Sequence, residues 1–208
     1  INAASLLIDS GANTDGIDLS ALRLWRIPEN KDYIDLDGWD LHRAAKGKRV
    51  DITFALIARG DDVNARMGKD SDPQGTHGWT PLHMAASRNS FDVRSELYLT
   101  ARAVEVAGLL IQNGADVDAE VLWETTNVPG SLETPLHIAA RENFIEVARL
   151  LIEKGANLEA KTKDGKTPLH HALYLEMAQM LISKGADKSG IDLKELLPES
   201  DDLEELPW

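Results

Sequence analysis

The chain has 208 residues, 43% of them hydrophobic, with 22 basic against 35 acidic side chains, a net charge of −13, and no cysteine. That charge excludes nucleic acid and anionic membrane surfaces as bulk partners, because phosphate binding needs a basic footprint, and the missing cysteines exclude a disulfide framework and a Cys-based zinc site. No run approaches the roughly 20 apolar residues that span a bilayer, and the length suits one or two globular domains or a single elongated array.

In chain order, INAASLLIDSGA opens without an initiator Met or a basic n-region, so it reads as a piece of a longer or processed polypeptide. The stretch GANTDGIDLSAL (11–22) is echoed by GADKSGIDLKEL (185–196), and each predicts a short helix capped by Asp18 or Asp192. Two phrases then alternate. One is DGWDLHRAA (37–45), TPLHMAA (80–86), TPLHIAA (134–140) and TPLHHA (167–172). The other is SLLIDSGAN (5–13), ALIARGDDVNA (55–65), LLIQNGADVDA (109–119), LLIEKGANLEA (150–160) and MLISKGAD (180–187). The last segment, LPESDDLEELPW, is acidic with Leu and Trp interspersed, and reads either as a capping helix or as a linker.

The alternation of TPLHxAA with a phrase of the form LLxxGAdvnA resembles the ankyrin repeat, whose period is about 33 residues. The residues give the same unit by themselves. Pro81, Pro135 and Pro168 suit a first helical turn, where a missing N–H does no harm, and Thr80, Thr134 and Thr167 are placed to cap it. Ala85-Ala86 and Ala139-Ala140 let two helices approach. Residues such as Glu146 to Ile152 carry an apolar face at helical spacing, and Gly114, Gly155 and Gly185 close that second helix. The expectation is an all-α solenoid of helix-turn-helix units with hairpin-like loops, about five units counting partial or degenerate terminal ones. Stacking must supply the core.

The closing glycines at 11, 60, 114, 155 and 185 are spaced by 49, 54, 41 and 30 residues, so insertions and deletions are present. From His42 to Gly60 and from His137 to Gly155 the distance is 18, the regular helix pair. From His83 to Gly114 it is 31, placing about 13 extra residues within NSFDVRSELYLTARAVE, and from His170 to Gly185 it is 15, a trimmed pair. The loops from Ala65 to Thr80 and from Ala119 to Thr134 span 15 residues against 7 from Ala160 to Thr167. The resulting division is 1–36, a partial repeat with an irregular helical connection; 37–66, a repeat; 67–119, a repeat with long loop and helix insertion; 120–160, a repeat with long loop; 161–188, a shortened repeat; and 189–208, a cap or linker.

Candidate chemistry is sparse. His42, His83, His137 and His170 occupy one repeat position, but successive units lie about 10 Å apart, too far to share an ion held at about 2 Å; the resemblance implies that this His braces the turn by hydrogen bonds to backbone. His170 and His171 are neighbours whose side chains leave a helix in different directions. The clusters Asp70-Ser71-Asp72 and Glu199-Ser200-Asp201-Asp202 lack calcium-loop spacing and read as solvated surface. No nucleophile elbow, Walker loop or HExxH is present, so no catalytic, metal or cofactor-binding residue is expected.

What remains is recognition. The long loops carry Trp79 and Trp123, which either form part of a contact surface or merely pack against a neighbouring loop. The resemblance implies binding through a concave face of loops and first helices, whose variable positions fall here on Trp39, Lys46, Trp79, Ser87, Arg88, Glu133, Arg141, Glu142 and Lys166. The expected partner is another protein, neutral or basic, with no nucleic acid and no membrane insertion. The alternative is a targeting or scaffold segment of a larger enzyme, toxin or effector whose catalytic part, like any further domain of the same polypeptide, lies outside this chain. Irregular arrays of this kind resemble those that intracellular bacteria, symbionts or viruses direct at host proteins, as well as those of many eukaryotic scaffolds, which would place the chain in a cytoplasm, including that of a host cell.

Overall fold

The computed structural model describes residues 36–68, 78–88, 96–122, 132–189 and 191. The expected N-terminal half repeat, the helix near Asp18, the tips of the two long loops with Trp123, and the segment after Ile191 lie outside these residues.

Four helix pairs are described. The first joins α1 (Leu41–Lys46) to α2 (Val50–Arg59), the second α3 (Pro81–Ala86) to α4 (Glu96–Gln112), the third α5 (Pro135–Arg141) to α6 (Ile145–Glu153), and the fourth α7 (Pro168–His171) to α8 (Leu175–Ser183). The third pair is preceded by a two-stranded antiparallel ladder, β1 (Val121–Leu122) on β2 (Leu132–Glu133), with Val121 opposite Glu133 and Leu122 opposite Leu132. Each long loop is thus pinched at its base. In the other one Met67 N–H donates to the Trp79 carbonyl at 2.9 Å and Gly78 N–H to the Met67 carbonyl at 2.8 Å.

The helices start where local chemistry says they should. Thr80, Thr134 and Thr167 are N-caps with Pro at the first helical position, and each forms a capping box with the His three residues on. The first pair lacks the Thr-Pro and achieves the same end differently: Asp40 is its N-cap, and the carboxylate accepts the Arg43 N–H at 2.8 Å. The second helices end at left-handed glycines, Gly114 at φ 90° and Gly155 at φ 93° among them, a conformation that a Cβ would strain.

Helices of 6 to 10 residues do not stand alone in water, and here the packing supplies what length does not. Helix α1 packs on α3, α3 on α5 and α5 on α7, while α2 packs on α4 and α4 on α6. Two layers result, first helices in one and second helices in the other. Ala44-Ala45, Ala85-Ala86 and Ala139-Ala140 are fully buried between first helices, where any larger side chain would force them apart. The α4 face of Ala103, Val106, Ala107 and Leu110, at helical spacing, joins Leu56, Leu82, Leu136, Leu151, Met177 and Leu181 in one continuous core.

The irregular spacings resolve into specific lengths. Of the insertion after His83, residues from Glu96 onward lengthen α4 to 17 residues, against 10 in α2 and 9 in α6. The trimming after His170 falls on the first helix, since α7 has 4 residues while α8 keeps 9. A further ladder ties the loops after the second helices: Asn64 bridges to the Gly114 carbonyl and the Asp116 N–H, Asp118 accepts from Asn157 N–H, and Glu159 accepts from Asp187 N–H. Among the described residues no helix is long and apolar enough to cross a membrane.

Truncating a fully buried side chain loses its transfer energy and leaves a cavity. Leu136→Ala is therefore expected to destabilise the fold by about 2–5 kcal/mol, whereas Leu173→Ala, at a side chain 63% exposed, should stay within about 0.5 kcal/mol. Urea unfolding monitored by circular dichroism measures both, and equal losses would contradict this placement of the core.

Candidate functional site

The loop ends and first helices form the candidate face, and one repeated bond fixes its geometry. His42 Nε2 lies 2.9 Å from the carbonyls of both Ala65 and Trp79. His83 Nε2 reaches the Glu133 carbonyl at 3.3 Å and His137 Nε2 the Lys166 carbonyl at 3.2 Å. On the other side of the ring, Nδ1 accepts the backbone N–H of the capping Thr, at 3.2 Å in His83 and 3.1 Å in His137. A nitrogen that accepts from an amide cannot carry its own proton, so the hydrogen sits on Nε2 and is donated to the carbonyl. Each imidazole thereby ties a first helix to the residue immediately before the next unit's Thr.

His83 and His137 are held neutral. Burial pushes His83 down to about 3 and His137 to about 4, against the pull of the carbonyls they serve, with Arg66 adding to the depression at His83 and Arg141 at His137. His171 is also driven to about 4, by burial first and then by His137, Arg141 and Lys166.

The sequence-derived residues separate into groups. Trp39, just ahead of the α1 N-cap, is half-buried and flanked by guanidinium groups, Arg43 at 5.0 Å and Arg49 at 5.5 Å from the ring centre; Lys46 is the last residue of α1, half-exposed. Ser87 and Arg88 stand at the end of α3, with Arg88 over the Phe144 ring at 5.6 Å and donating to the Asn143 carbonyl at 3.0 Å. Glu133, Arg141 and Glu142 come together: Arg141 forms an ion pair with Glu133 and lies 4.0 Å from Glu142. Lys166 is exposed, 3.5 Å from Asp164. Trp123 falls outside the described residues.

Two of these residues are interior. Trp79 is only 6% exposed, part of the core, with its ring 5.9 Å from that of His83. The pinch at the loop base and the His42 bond to its carbonyl turn the indole inward, so the reading in which this Trp packs inside describes it and an exposed anchor does not. Glu133 is 4% exposed, its carboxylate neutralised by Arg141 inside the interface between the third and fourth units.

One residue was missed. His171 lies 3.6 Å from the Glu133 carboxylate and edge-on to the His137 ring at 5.3 Å, so it belongs to the Glu133–Arg141 group, while His170 bonds to Thr167. The different directions of adjacent helical side chains were legible, but the target of His171 lies 38 residues earlier in the chain. The five described histidines thus engage backbone, Thr hydroxyl, ring and carboxylate partners; among the described residues no group of three or more His, Asp or Glu is arranged to hold a metal ion.

Comparison with known proteins agrees with this geometry. A family model described as ankyrin repeats, in three copies, matches residues 100–192, and a single ankyrin-repeat model matches residues 77–120. A search among curated proteins finds no match.

In the unfolded chain the imidazoles take up protons near pH 6.5, while in the fold His83 waits until about pH 3 and His137 and His171 until about pH 4. Between those limits acid stabilises the unfolded chain, so these groups contribute stability at neutral pH that is lost as the pH falls. Ring proton or carbon shifts of His83 and His137 followed by NMR should stay constant from pH 7.5 to 5. Titration of either ring near pH 6.5 would contradict the neutral bridge.

Proposed function

Because the chain belongs to the ankyrin-repeat family, we propose that it is a protein-binding module whose loop ends and first helices receive one partner protein. Ankyrin repeats are generally protein–protein interaction modules, and the family is a non-catalytic one. The observation that carries the proposal is a contrast within this single chain. The framework positions repeat, as Thr80, Thr134, Thr167 and His42, His83, His137, His170 do, whereas the positions they hold out vary between units, only the Trp before the cap recurring, at Trp39 and Trp79.

Four residues after the repeated His stand Lys46, Ser87, Arg141 and Tyr174; immediately before the capping Thr stand Trp79, Glu133 and Lys166. A purely structural spacer has no use for such variety on one face. The interior members, Trp79 and Glu133, shape the face from beneath, and contact falls to Trp39, Lys46, Ser87, Arg88, Arg141, Glu142 and Lys166. With a net charge of −13, long-range steering favours a neutral or basic partner, while the local mixture of Lys46, Arg88 and Lys166 with Glu142 and Asp164 supplies register.

The experiment is affinity capture followed by titration with the captured protein. A Lys46→Glu/Lys166→Glu variant alters the proposed face, and an Arg149→Glu variant alters the second-helix layer as a control, each checked for folding by circular dichroism. The face variant should bind at least about ten-fold more weakly, equivalent to about 1.4 kcal/mol, with the control unchanged. Equal binding by all three, or a loss confined to Arg149→Glu, would move the contact surface elsewhere.

A further inference from the structure

The turn of the first helix pair contains a feature that the repeat pattern does not explain. Lys48 adopts φ 53°, one of two described non-glycine residues in the left-handed region, and its side chain is buried, 5% exposed. A β-substituted residue strains that backbone, and an unpaired buried ammonium would be costlier still. The backbone conformation recurs at Asn143, six residues after His137 as Lys48 is after His42; the buried ammonium is tolerated because of where the side chain ends. Its Nζ donates to the carbonyls of Met84, Ala85 and Ser87, each at 2.8 Å.

Those carbonyls belong to the C-terminal end of α3, in the next unit. The last turn of any helix leaves carbonyls without intrahelical partners, and their aligned dipoles attract a cation. Helix α3 is short, ends at Ser87, and is followed by the longest insertion between the helices of a pair. The third unit completes the enclosure: the Phe144 ring, itself 3% exposed, lies 5.7 Å from Lys48 Nζ and carries Arg88 at 5.6 Å, and Glu142 supplies opposite charge. Burial pulls the amine down to about 7 while Glu142 pulls it upward. Three carbonyl acceptors call for three N–H donors, and of the two protonation states only the ammonium has three.

We propose that Lys48 is an ammonium clasp that joins three consecutive units, capping α3 from the turn of the first pair and making that pair fold and unfold with the rest of the stack. Without the clasp the first pair keeps its apolar contacts with α3 and α4, but the α3 carbonyls turn to water and the turn opens. The clasp also holds the Ser87 carbonyl and, through the shared Phe144 ring, the base of Arg88. It does not depend on the binding reading, since it concerns the stack by itself.

The test is Lys48→Met in the full chain. Methionine keeps an apolar stem of similar length and bears the same backbone strain at φ 53°, so the comparison isolates the ammonium. Hydrogen exchange by mass spectrometry should show amides of α1 and α2 exchanging at least ten-fold faster in the variant, with those of α5 and α6 little changed. In the unaltered protein at pH 6, the Lys48 ammonium should give a slowly exchanging ¹⁵N resonance in NMR, unlike exposed Lys154, and this second measurement decides the matter if the variant does not fold. Unchanged α1–α2 exchange in a folded variant, or a Lys48 ammonium that exchanges like Lys154, overturns the clasp.

Discussion

A single imidazole N–H, given by each of the first three described units to the loop of the unit that follows, makes one object of separate helix pairs. His42, His83 and His137 each stand on a first helix that is too short to be stable alone, and each reaches the carbonyl just ahead of the next unit's Thr. The bond is strong because it is dry, and it stays dry because the alanine pairs let neighbouring first helices close over it. Removing water also decides the charge of His83 and His137: each ring, wedged between an amide donor and a carbonyl acceptor, is needed neutral, and burial keeps it so. Helix start, tautomer, unit spacing and loop direction all follow from that ring.

The irregularities respect this bond. The extra residues described in the second unit lengthen α4 and leave α3, which carries His83, at 6 residues, and both enlarged loops are closed at the residues whose carbonyls the histidines hold, Trp79 and Glu133. The trimmed fourth unit keeps its Thr–His pairing while shortening its first helix, and α8 retains its 9 residues. Length varies where it leaves the stacking contacts intact, as expected for a solenoid in which each unit meets only its neighbours.

Between the units lies more charge than a helical stack requires. Glu133 with Arg141, and Lys48 with the end of α3, place ionic groups inside interfaces that apolar residues would fill without a desolvation penalty. Lys48 meets carbonyls of another unit, and Glu133, paired with Arg141 of its own unit, meets His171 of the next, so the contacts across the boundary work only in one register of the stack. Apolar contacts tolerate sliding by a turn; a carboxylate opposite an imidazole, or an ammonium on three carbonyls, does not. These groups connect the rigid framework to the face proposed for binding, because Arg141, Glu142, Ser87 and Arg88 are held by the same contacts.

Thr-Pro-Leu-His at 80–83, 134–137 and 167–170, with its later glycine, determined helix starts, helix ends and the fold without any tertiary information, because a cap, a proline and a left-handed glycine act within four residues of themselves. Even the degenerate Asp40-Leu41-His42 was readable as a unit, while the Asp in the role of the Thr was seen in the structure. The surface was legible only in outline. Trp39 and Lys166 could be assigned to the variable positions, but whether Trp79 or Glu133 faced a partner or the interior depended on what the adjoining unit set against them. His171 and Lys48 gave no local sign of their roles, since their partners lie 36 to 39 residues away in the chain. Sequence specified each unit because its signals are local and repeated; the tertiary structure alone decided which side chains are sealed between units, because burial belongs to the pair of surfaces and not to either one.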